Sequence, residues 1–244
     1  MAHQLDVPLS QIKPVFPPSR GVGNKQEPPA VQQTIDLLHL QPHIEGGYYV
    51  ETDRDPLNIP NPFLSSNNKD PGTSYEVPAA NVTSTTRLAA GQDHSTRSAS
   101  TTIYYYLTPG SPLGAFHRNR GRTVHTLHRG RGRYVLIHAD EVLRGERAAQ
   151  NGKARIETFV VGHDIARGEK LQWIVEGGKF KASFLLPDDG DDGTKSDGLL
   201  ISETVVPGFE FADHDFMQAE TLNELLTPEE VKELEWLLRE KSIG

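Results

Sequence analysis

The side chains best suited to chemistry are concentrated between residues 104 and 138, where histidine, tyrosine and arginine alternate with apolar residues. His117 and His125 lie in two runs of strand-like character, and strand alternation lets both imidazoles face the same interior. An imidazole titrates near neutral pH, so His117 is a candidate general base and His125 a candidate acid. His128 has the opposite parity from His125 and would need a bulge to face inward with it.

Tyrosine hydroxyls are the other candidate proton donors. Tyr106 lies in the run TTIYYYL (residues 101–107), whose tyrosines are first of all wall residues, although one of them could direct its hydroxyl into a cavity. Tyr49 shares a strand face with Glu51, and that face could reach the mouth of a cavity. We therefore predict catalytic roles for Tyr49 and Tyr106 and a ligand-binding role for Glu51.

Six arginines fall between residues 118 and 133. The guanidinium fork suits carboxylates and phosphates, so Arg118 and Arg122 are candidates to hold an anionic ligand at a pocket mouth. The run RGRGR (residues 129–133) could also indicate RNA binding, but the net charge of −8 and the lack of an RNA-binding motif disfavour it. A hairpin whose arginines meet acidic residues elsewhere is the plainer interpretation.

Two later strands add polar candidates. Lys181 alternates with an apolar face that includes Phe180 and Phe184. If that face packs outward against a subunit, Lys181 points inward, where its charge could stabilise a developing enolate. Gln172, in the strand predicted at residues 170–176, is a further ligand-binding candidate.

Short alternating runs dominate the middle of the chain. The predicted strands end at Gly, Asp or Pro in most cases and cover residues 82–88, 101–107, 113–118, 122–128, 133–138, 155–161, 170–176, 179–186 and 199–206. Many short strands with this spacing are typical of a sandwich or a barrel. Residues 31–244 are therefore expected to form one all-β domain, a size that single barrels reach.

The other segments are expected to lie outside the barrel. Residues 1–30 contain six prolines and predict an extended arm, either a loose tail or an arm that lies across a partner subunit. Residues 31–40 predict a short helix, and residues 53–80 predict a long loop or insertion. A capping box that begins at Thr227 predicts a C-terminal helix over residues 228–240.

Composition narrows the function classes. The net charge of −8 disfavours nucleic acid as a partner, because phosphate binding requires a basic face. Cysteine is absent, which fits a reducing compartment, and we expect a cytoplasmic protein. The sequence has no run of about 18 apolar residues and no signal-peptide core, so no membrane partner is expected.

The region of highest chemical density resembles the cupin superfamily. The spacing of His117, Asn119, Thr123 and Gly130 is similar to that of the first cupin motif. Residues 168–185 are similar to the second cupin motif, and Lys181 occupies the position of its last metal ligand. The resemblance implies a double-stranded β-helix, or jelly-roll barrel, with short flanking helices and a ligand site inside it. Cupins of this kind are commonly homodimers, so a homodimer is expected.

Within the superfamily, the chain resembles the subfamily of unknown function DUF985. Four runs carry that resemblance: LQPHIEGGYYVET (residues 40–52), STTIYYYLTPG (100–110), AFHR (115–118) and VVPGFEFADHDF (205–216). Members usually have an acidic pair and a Trp–His pair in the strand after AFHR. This chain instead has Arg122, Thr123, His125 and Thr126 there, so the usual glutamate and histidine are lost.

These departures bear on the cofactor. Typical cupin metal sites use three imidazoles and a carboxylate, of which only His117 is retained at the matching positions. Asn119 and Thr123 are weak donors, and Lys181 would bring a positive charge into such a site. We therefore expect no metal and treat Asn119 as a ligand-binding candidate. A divalent metal on a rearranged set of His117, His125 and either His128 or His138 is the disfavoured alternative.

Three functions are compatible with these residues. The favoured one is a metal-independent isomerase, epimerase, cyclase or lyase that acts on a small polar metabolite, because the fold is similar to that of sugar-nucleotide epimerases with a His base and a Tyr acid. The second is a non-catalytic binding or storage-like cupin that only holds a ligand, which could be anionic. The third is a metal-dependent oxygenase, which the missing ligands disfavour.

Overall fold

The computed structural model describes residues 2–17, 27–64, 94–143, 153–188 and 193–239. Within these ranges the chain forms thirteen strands and four α-helices. The strands are β1 (Gln41–Pro42), β2 (Tyr48–Arg54), β3 (Asn58–Pro60), β4 (Thr96–Ser98), β5 (Thr101–Leu107), β6 (Leu113–Asn119), β7 (Arg122–Arg129), β8 (Gly132–Ile137), β9 (Ile156–Val161), β10 (Gln172–Val175), β11 (Phe180–Leu185), β12 (Leu199–Val206) and β13 (His214–Phe216). The helices are α1 (Pro29–Leu37), α2 (Ala139–Leu143), α3 (Ala219–Leu225) and α4 (Pro228–Leu234).

Two antiparallel sheets form the body of the protein. One has the strand order β1-β2-β5-β12-β7-β10 and the other the order β13-β6-β11-β8-β9, while β3 and β4 pair as a separate ribbon. The inner faces of the two sheets meet in one core, to which Tyr105 and Ile201 contribute from the first sheet and Tyr134 and Leu136 from the second. This is the predicted jelly-roll barrel with short flanking helices.

Strand alternation decides which side chains face away from that interior. On β11, Phe180 and Phe184 face outward and pack with Leu222 of α3 and Leu234 of α4 in a second core. The apolar face of β11 is therefore covered by helices of its own chain rather than by a subunit. Lys181 faces inward. This is the orientation that the sequence predicted for Lys181 on the condition that the apolar face of its strand packs outward.

The outer face of the six-stranded sheet carries α1. Val31 and Ile35 pack there against Tyr106 and Leu40. The helix begins at Pro29 and ends at Leu37, so it starts two residues and ends three residues before the predicted residues 31–40. Proline at the first helical position explains the earlier start.

The N-terminal arm packs on its own barrel where it is described. Gln4 forms a parallel bridge with Glu157 on β9, and Arg133 holds Asp6 at 2.8 Å. Ile12 is fully buried in the core beneath α3 and α4. Residues 2–17 are thus neither loose nor extended away from the protein.

The other end of the chain differs from prediction in length. The capping box at Thr227 is present, but α4 ends at Leu234 and a 3-10 turn continues only to Leu237, short of the predicted residue 240. In the predicted insertion, residues 53–64 contain the end of β2 and all of β3. The rest of that insertion and the predicted strand 82–88 lie outside the described residues. The described helices include none that is both long enough and apolar enough to cross a membrane.

Candidate active site

Neighbouring strands of the five-stranded sheet bring His117 and Lys181 together. The two residues are Cα partners between β6 and β11, and both side chains are buried in the interior. The His117 Nδ1 atom lies 2.8 Å from the backbone carbonyl oxygen of Ala115, which can only accept a hydrogen bond. We assign the proton to Nδ1 from this contact, so the neutral ring presents the lone pair of Nε2.

The six-stranded sheet supplies two partners for Lys181. His125 and Glu203 are Cα partners between β7 and β12. The Lys181 Nζ atom donates to Glu203 Oε2 at 2.6 Å and to His125 Nε2 at 2.9 Å. These two contacts use two of the three protons of an ammonium group. The prediction that His117 and His125 face one interior is confirmed, and Lys181 joins them.

A loop between β1 and β2 delivers Glu45 to the same place. Gly46 has a φ of +103°, and a Cβ atom there would lie 2.0 Å from the carbonyl oxygen of Leu113. The Ala115 N–H donates to the Glu45 carbonyl at 2.8 Å, and the Tyr105 hydroxyl donates to the Gly46 carbonyl at 2.9 Å. Only glycine permits so close an approach, so the loop is fixed against the barrel wall.

The short strand β13 adds a second histidine. Its pairing with β6 places His214 opposite Asn119 and Phe216 opposite His117. The His214 Nε2 atom lies 2.8 Å from Glu45 Oε1, and the His117 Nε2 atom lies 3.3 Å from Glu45 Oε2. One possible ligand atom from each of these three residues lies within 4.8 Å of the other two.

We call the six converging ionisable residues the interior cluster: Glu45, His117, His125, Lys181, Glu203 and His214. Four of them, Glu45, His117, Lys181 and Glu203, border a small cavity, whose lining also contains Tyr105, Tyr134, Ala182 and Ser183. The empty space between these side chains amounts to about 180 Å³, including any part that is open to solvent, so the side chains are closely packed around it.

Burial controls the charge of the histidines. It lowers the pKa of His117 to about 3, and Lys181 and His214 act in the same direction against the opposing effect of Glu45. Burial also lowers the pKa of His125, again with help from Lys181. Both rings are therefore neutral at physiological pH.

The acidic groups respond to their neighbours. Burial alone would raise the pKa of Glu203, but Lys181 and His125 hold it well below its ordinary range. The surrounding histidines likewise lower the pKa of Glu45 against the effect of burial. Burial, together with both carboxylates, raises the pKa of Tyr105 well above 10. The cavity therefore contains ionised carboxylates and a protonated phenol.

The predicted tyrosines and Glu51 lie outside the cavity lining. Tyr106 faces the outer side of β5, where its hydroxyl donates to the Asp197 carbonyl and accepts from Arg129 at 3.0 Å. Its neighbour Tyr105 is the tyrosine of this run that faces inward. Tyr49 packs its ring edge against the loop residue His43, with ring centroids 4.5 Å apart. Glu51 is exposed and pairs with Arg54.

Four predicted ligand-binding residues also lie elsewhere. Arg118 pairs with Asp215 at 3.0 Å on the outer face of β6, and exposed Arg122 pairs with Glu176 at 3.2 Å. Gln172 is exposed on β10. Asn119 is partly buried at the end of β6, and its Oδ1 atom has no hydrogen-bond partner among the described residues. Strand alternation accounts for Arg118 and Gln172, which have the parity opposite to the inward-facing residues of their strands.

The arginines of RGRGR pair with other parts of the chain. Arg131 Nε lies 2.7 Å from Glu169, and Arg133 contacts Asp6 at 2.8 Å. These contacts agree with the hairpin interpretation. The alternative histidine metal set does not assemble, because exposed His128 contacts Tyr104 outside the barrel and His138 belongs to a different charged group.

Sequence reasoning missed Glu45, Glu203 and His214 as site residues. Glu203 had a detectable signal, because it is a charged residue on the apolar face of the LLISETVV run, between Ile201 and Val205. Glu45 and His214 are both contained in runs that carried the family resemblance, but neither lies in a long alternating segment. Their positions depend on how a loop and a three-residue strand meet β6.

Comparison with known proteins identifies the family. The model of the family described as Cupin superfamily (DUF985) matches residues 32–217. The Saccharomyces cerevisiae protein YML079W, described as uncharacterized, is 41% identical over 213 residues, covering 86% of this chain and 88% of its own. A hypothetical protein from Leishmania major superposes with a TM-score of 0.61 at 28% identity, covering 86% of this chain and 98% of its own.

A second solved structure supports the same fold. Protein SO0799 from Shewanella oneidensis has a TM-score of 0.57 at 21% identity, and the alignment covers 89% of this chain and 100% of that chain. The matched family segment contains the whole loop that carries Glu45 and the strand that carries His214. The chain therefore belongs to the DUF985 family of the cupin superfamily.

Proposed function

We propose that this cupin is an enzyme that moves a proton on a small metabolite with a carbonyl or carboxylate group. The observation that carries the proposal is the buried Lys181, which borders the cavity and is held at 2.6 Å by Glu203 and at 2.9 Å by His125. Isomerases, epimerases, cyclases and lyases of this type share a step that develops negative charge on a substrate oxygen. A cation fixed in a site that excludes water stabilises such charge strongly.

Lys181 is proposed to contact the substrate oxygen. Its two hydrogen bonds in the cluster leave one ammonium proton for a further acceptor. Because Glu203 and His125 come from the opposite sheet, they hold the side chain in place before any ligand enters. The cation is thus already oriented, which is the condition under which an electrostatic contact contributes most to catalysis.

Glu203 is the proposed proton acceptor. When the Glu203 carboxylate accepts a proton from the substrate, its negative charge is neutralised and negative charge develops on the substrate oxygen. The Lys181 ammonium group then pairs with that oxygen, so the buried cation has an anionic partner before and after the proton transfer. Protonation of His117, the base that we expected from sequence, would place a second cation close to Lys181. Charge balance therefore favours Glu203 over His117.

The test is hydrogen exchange measured by NMR. Pools of small keto acids, hydroxy acids and carbonyl compounds would be incubated with the protein in D2O, and deuterium would be followed at the carbon next to the carbonyl. Glu203→Gln retains the size of the side chain, and we expect it to slow exchange by about 10²–10⁴-fold, the usual contribution of a general base. Lys179→Met removes an ion-paired lysine outside the cavity and serves as the matched control.

Other results would point to other functions. Exchange at the wild-type rate in Glu203→Gln would reject Glu203 as the base. A ligand that raises the melting temperature of the wild-type protein but exchanges no deuterium would indicate the non-catalytic binding cupin instead.

A further inference from the structure

We propose that Glu45, His117 and His214 form a binding site for a divalent transition-metal ion, a property that does not depend on the proposed proton transfer. The Glu45 carboxylate lies 2.8 Å from His214 Nε2 and 3.3 Å from His117 Nε2. One ligand atom of each residue lies within 4.8 Å of the others. Donors that share an ion at roughly 2.0–2.2 Å lie roughly 3–3.5 Å apart, so the two distances measured from the carboxylate are close to ligating separations.

The orientation of His117 gives independent support. Its Nδ1–H is directed to the Ala115 carbonyl at 2.8 Å, so in the neutral ring the Nε2 lone pair faces the Glu45 carboxylate at 3.3 Å. Two acceptors that face each other repel unless a proton or a cation lies between them. Histidines that bind metals commonly donate their other N–H to a backbone carbonyl, which is the contact seen here.

Charge balance also favours a cation at Glu45. Its carboxylate is largely buried, and its ion-pair partners within the described ranges are the imidazoles of His43, His117 and His214, not lysine or arginine. Lys181 cannot compensate it fully, because Glu203 holds that ammonium group at 2.6 Å. Buried carboxylates are normally paired with a cation or bound to a metal.

His43 is not proposed as a ligand. Its Nδ1 atom lies 3.6 Å from the Glu45 carboxylate and accepts a hydrogen bond from the Glu45 backbone N–H at 3.3 Å. It therefore helps to position the loop. The proposed donors are two imidazoles and one carboxylate, a set suited to Fe²⁺, Mn²⁺ or Zn²⁺ that leaves further coordination positions for water or substrate.

This donor set differs from the one that the sequence led us to consider. The cupin-motif positions Asn119, Thr123 and Lys181 contribute nothing to it. Glu45 comes from the loop before β2 and His214 from β13, and only His117 stands at an expected position. The chain thus surrounds one retained histidine with donors from two other segments.

The experiment uses Co²⁺ as the probe. Full-length protein would be treated with a chelator, dialysed and titrated with Co²⁺ while bound metal is measured by equilibrium dialysis and visible absorption. We expect about one Co²⁺ per chain. Glu45→Gln, His117→Asn and His214→Asn should each weaken binding by more than the roughly 10–100-fold that loss of an outer-sphere partner costs.

His125→Gln is the matched control, since it replaces a buried imidazole of the same cluster that is not a proposed donor. Circular dichroism would verify folding of every variant, and Glu45→Gln retains side-chain size should the histidine variants unfold. Wild-type affinity in folded His214→Asn or Glu45→Gln, equal loss in His125→Gln, or no stoichiometric uptake would overturn the proposal. Because dialysis needs no substrate, Co²⁺ binding without deuterium exchange would reject only the proposed function, and exchange without Co²⁺ binding would reject only the metal site.

Discussion

Two groups of ionisable residues in this protein use similar residue types in different ways. One is the interior cluster, and the other, which we call the peripheral network, consists of His138, Asp140, Glu141, Arg155, Glu157 and Lys179 near the ends of β8 and β9. In the peripheral network, each carboxylate contacts a lysine or an arginine. Lys179 pairs with Asp140 at 2.8 Å, and Arg155 pairs with Glu141 at 2.6 Å.

The interior cluster has fewer cations than carboxylates. Lys181 forms an ion pair with Glu203. Within the described ranges, the ion-pair partners of Glu45 are all imidazoles. A network whose charges are already balanced has a structural role and little need of a ligand. An enclosed carboxylate without a lysine or arginine partner has a remaining requirement for positive charge, and this difference distinguishes a candidate site from an ordinary ion-pair network.

The largest expected effect separates the two lysines. Lys181→Met leaves the buried Glu203 without its ammonium partner and should lower the free energy of unfolding by about 3–5 kcal/mol. Lys179→Met removes the corresponding pair from the peripheral network, where both side chains are 13% exposed, compared with 4% for Lys181. Its expected cost is about 1 kcal/mol. Urea unfolding of both variants measures the difference, and equal costs would contradict the distinction between the two groups.

A double variant sharpens that result. Lys181→Met combined with Glu203→Gln removes both buried charges, so the double variant should be more stable than Lys181→Met alone by about 1–3 kcal/mol. Additive losses in the same urea experiment would show that the cost of Lys181→Met arises from packing rather than from the unpaired carboxylate.

The next effect concerns glycines beside each group. Gly46 and Gly178 both have positive φ, and alanine at either position should cost about 1–2 kcal/mol for the backbone conformation. Gly46→Ala should cost more, because its Cβ would lie 2.0 Å from a backbone oxygen, whereas the Cβ at Gly178 would lie 3.4 Å from the Asp140 side chain. Thermal melting would compare the two variants. A Gly46→Ala protein as stable as Gly178→Ala would show that the Glu45 loop can move away from β6.

The smallest effect is a pH dependence. Burial and Lys181 lower the pKa of His125 below its usual 6.5, so the unfolded chain takes up a proton there that the folded protein does not. Stability due to this group is present above pH 6.5 and is lost as the pH falls below it. Between pH 6.5 and 5, His125→Gln should reduce the slope of unfolding free energy against pH by up to about 1.4 kcal/mol per unit.

Exposed His128 on the same strand provides the control for this measurement. The same measurement on His128→Gln gives the change in slope that replacement of an exposed histidine causes. A slope that His125→Gln does not alter would mean that His125 takes up its proton in the folded protein as readily as in the unfolded chain.

The strands were predictable because their residues alternate between two environments. The predicted runs 101–107 and 199–206 coincide with β5 and β12, whose inner residues pack against the opposite sheet. The helix α3 was not predicted, since its seven residues follow a strand closely and carry little apolar periodicity. Short elements of this kind obtain their stability from tertiary packing, which a local pattern does not reveal.

The candidate site was predictable only where strand parity determines it. Parity allowed His117 and His125 to face one interior, and it placed Lys181 there only if the aromatic face of its strand packed outward. The structure brings all three side chains together. Glu45 reaches the same interior through a loop that depends on the positive φ of Gly46, and His214 reaches it through a short pairing with β6. Neither contact follows from spacing along the chain, which is why sequence reasoning did not include Glu45 or His214 among the site residues.

The N-terminal segment has a consequence for how copies of this protein can meet. The Gln4 backbone exchanges hydrogen bonds with Ile156 and Thr158 on β9, both at 2.9 Å, and farther along Lys170 donates to the Val160 carbonyl at 3.0 Å. These contacts occupy backbone groups that an exposed outer strand would offer to a second chain. A second chain that added a strand along β9 would therefore first have to displace the contacts of Gln4 and Lys170.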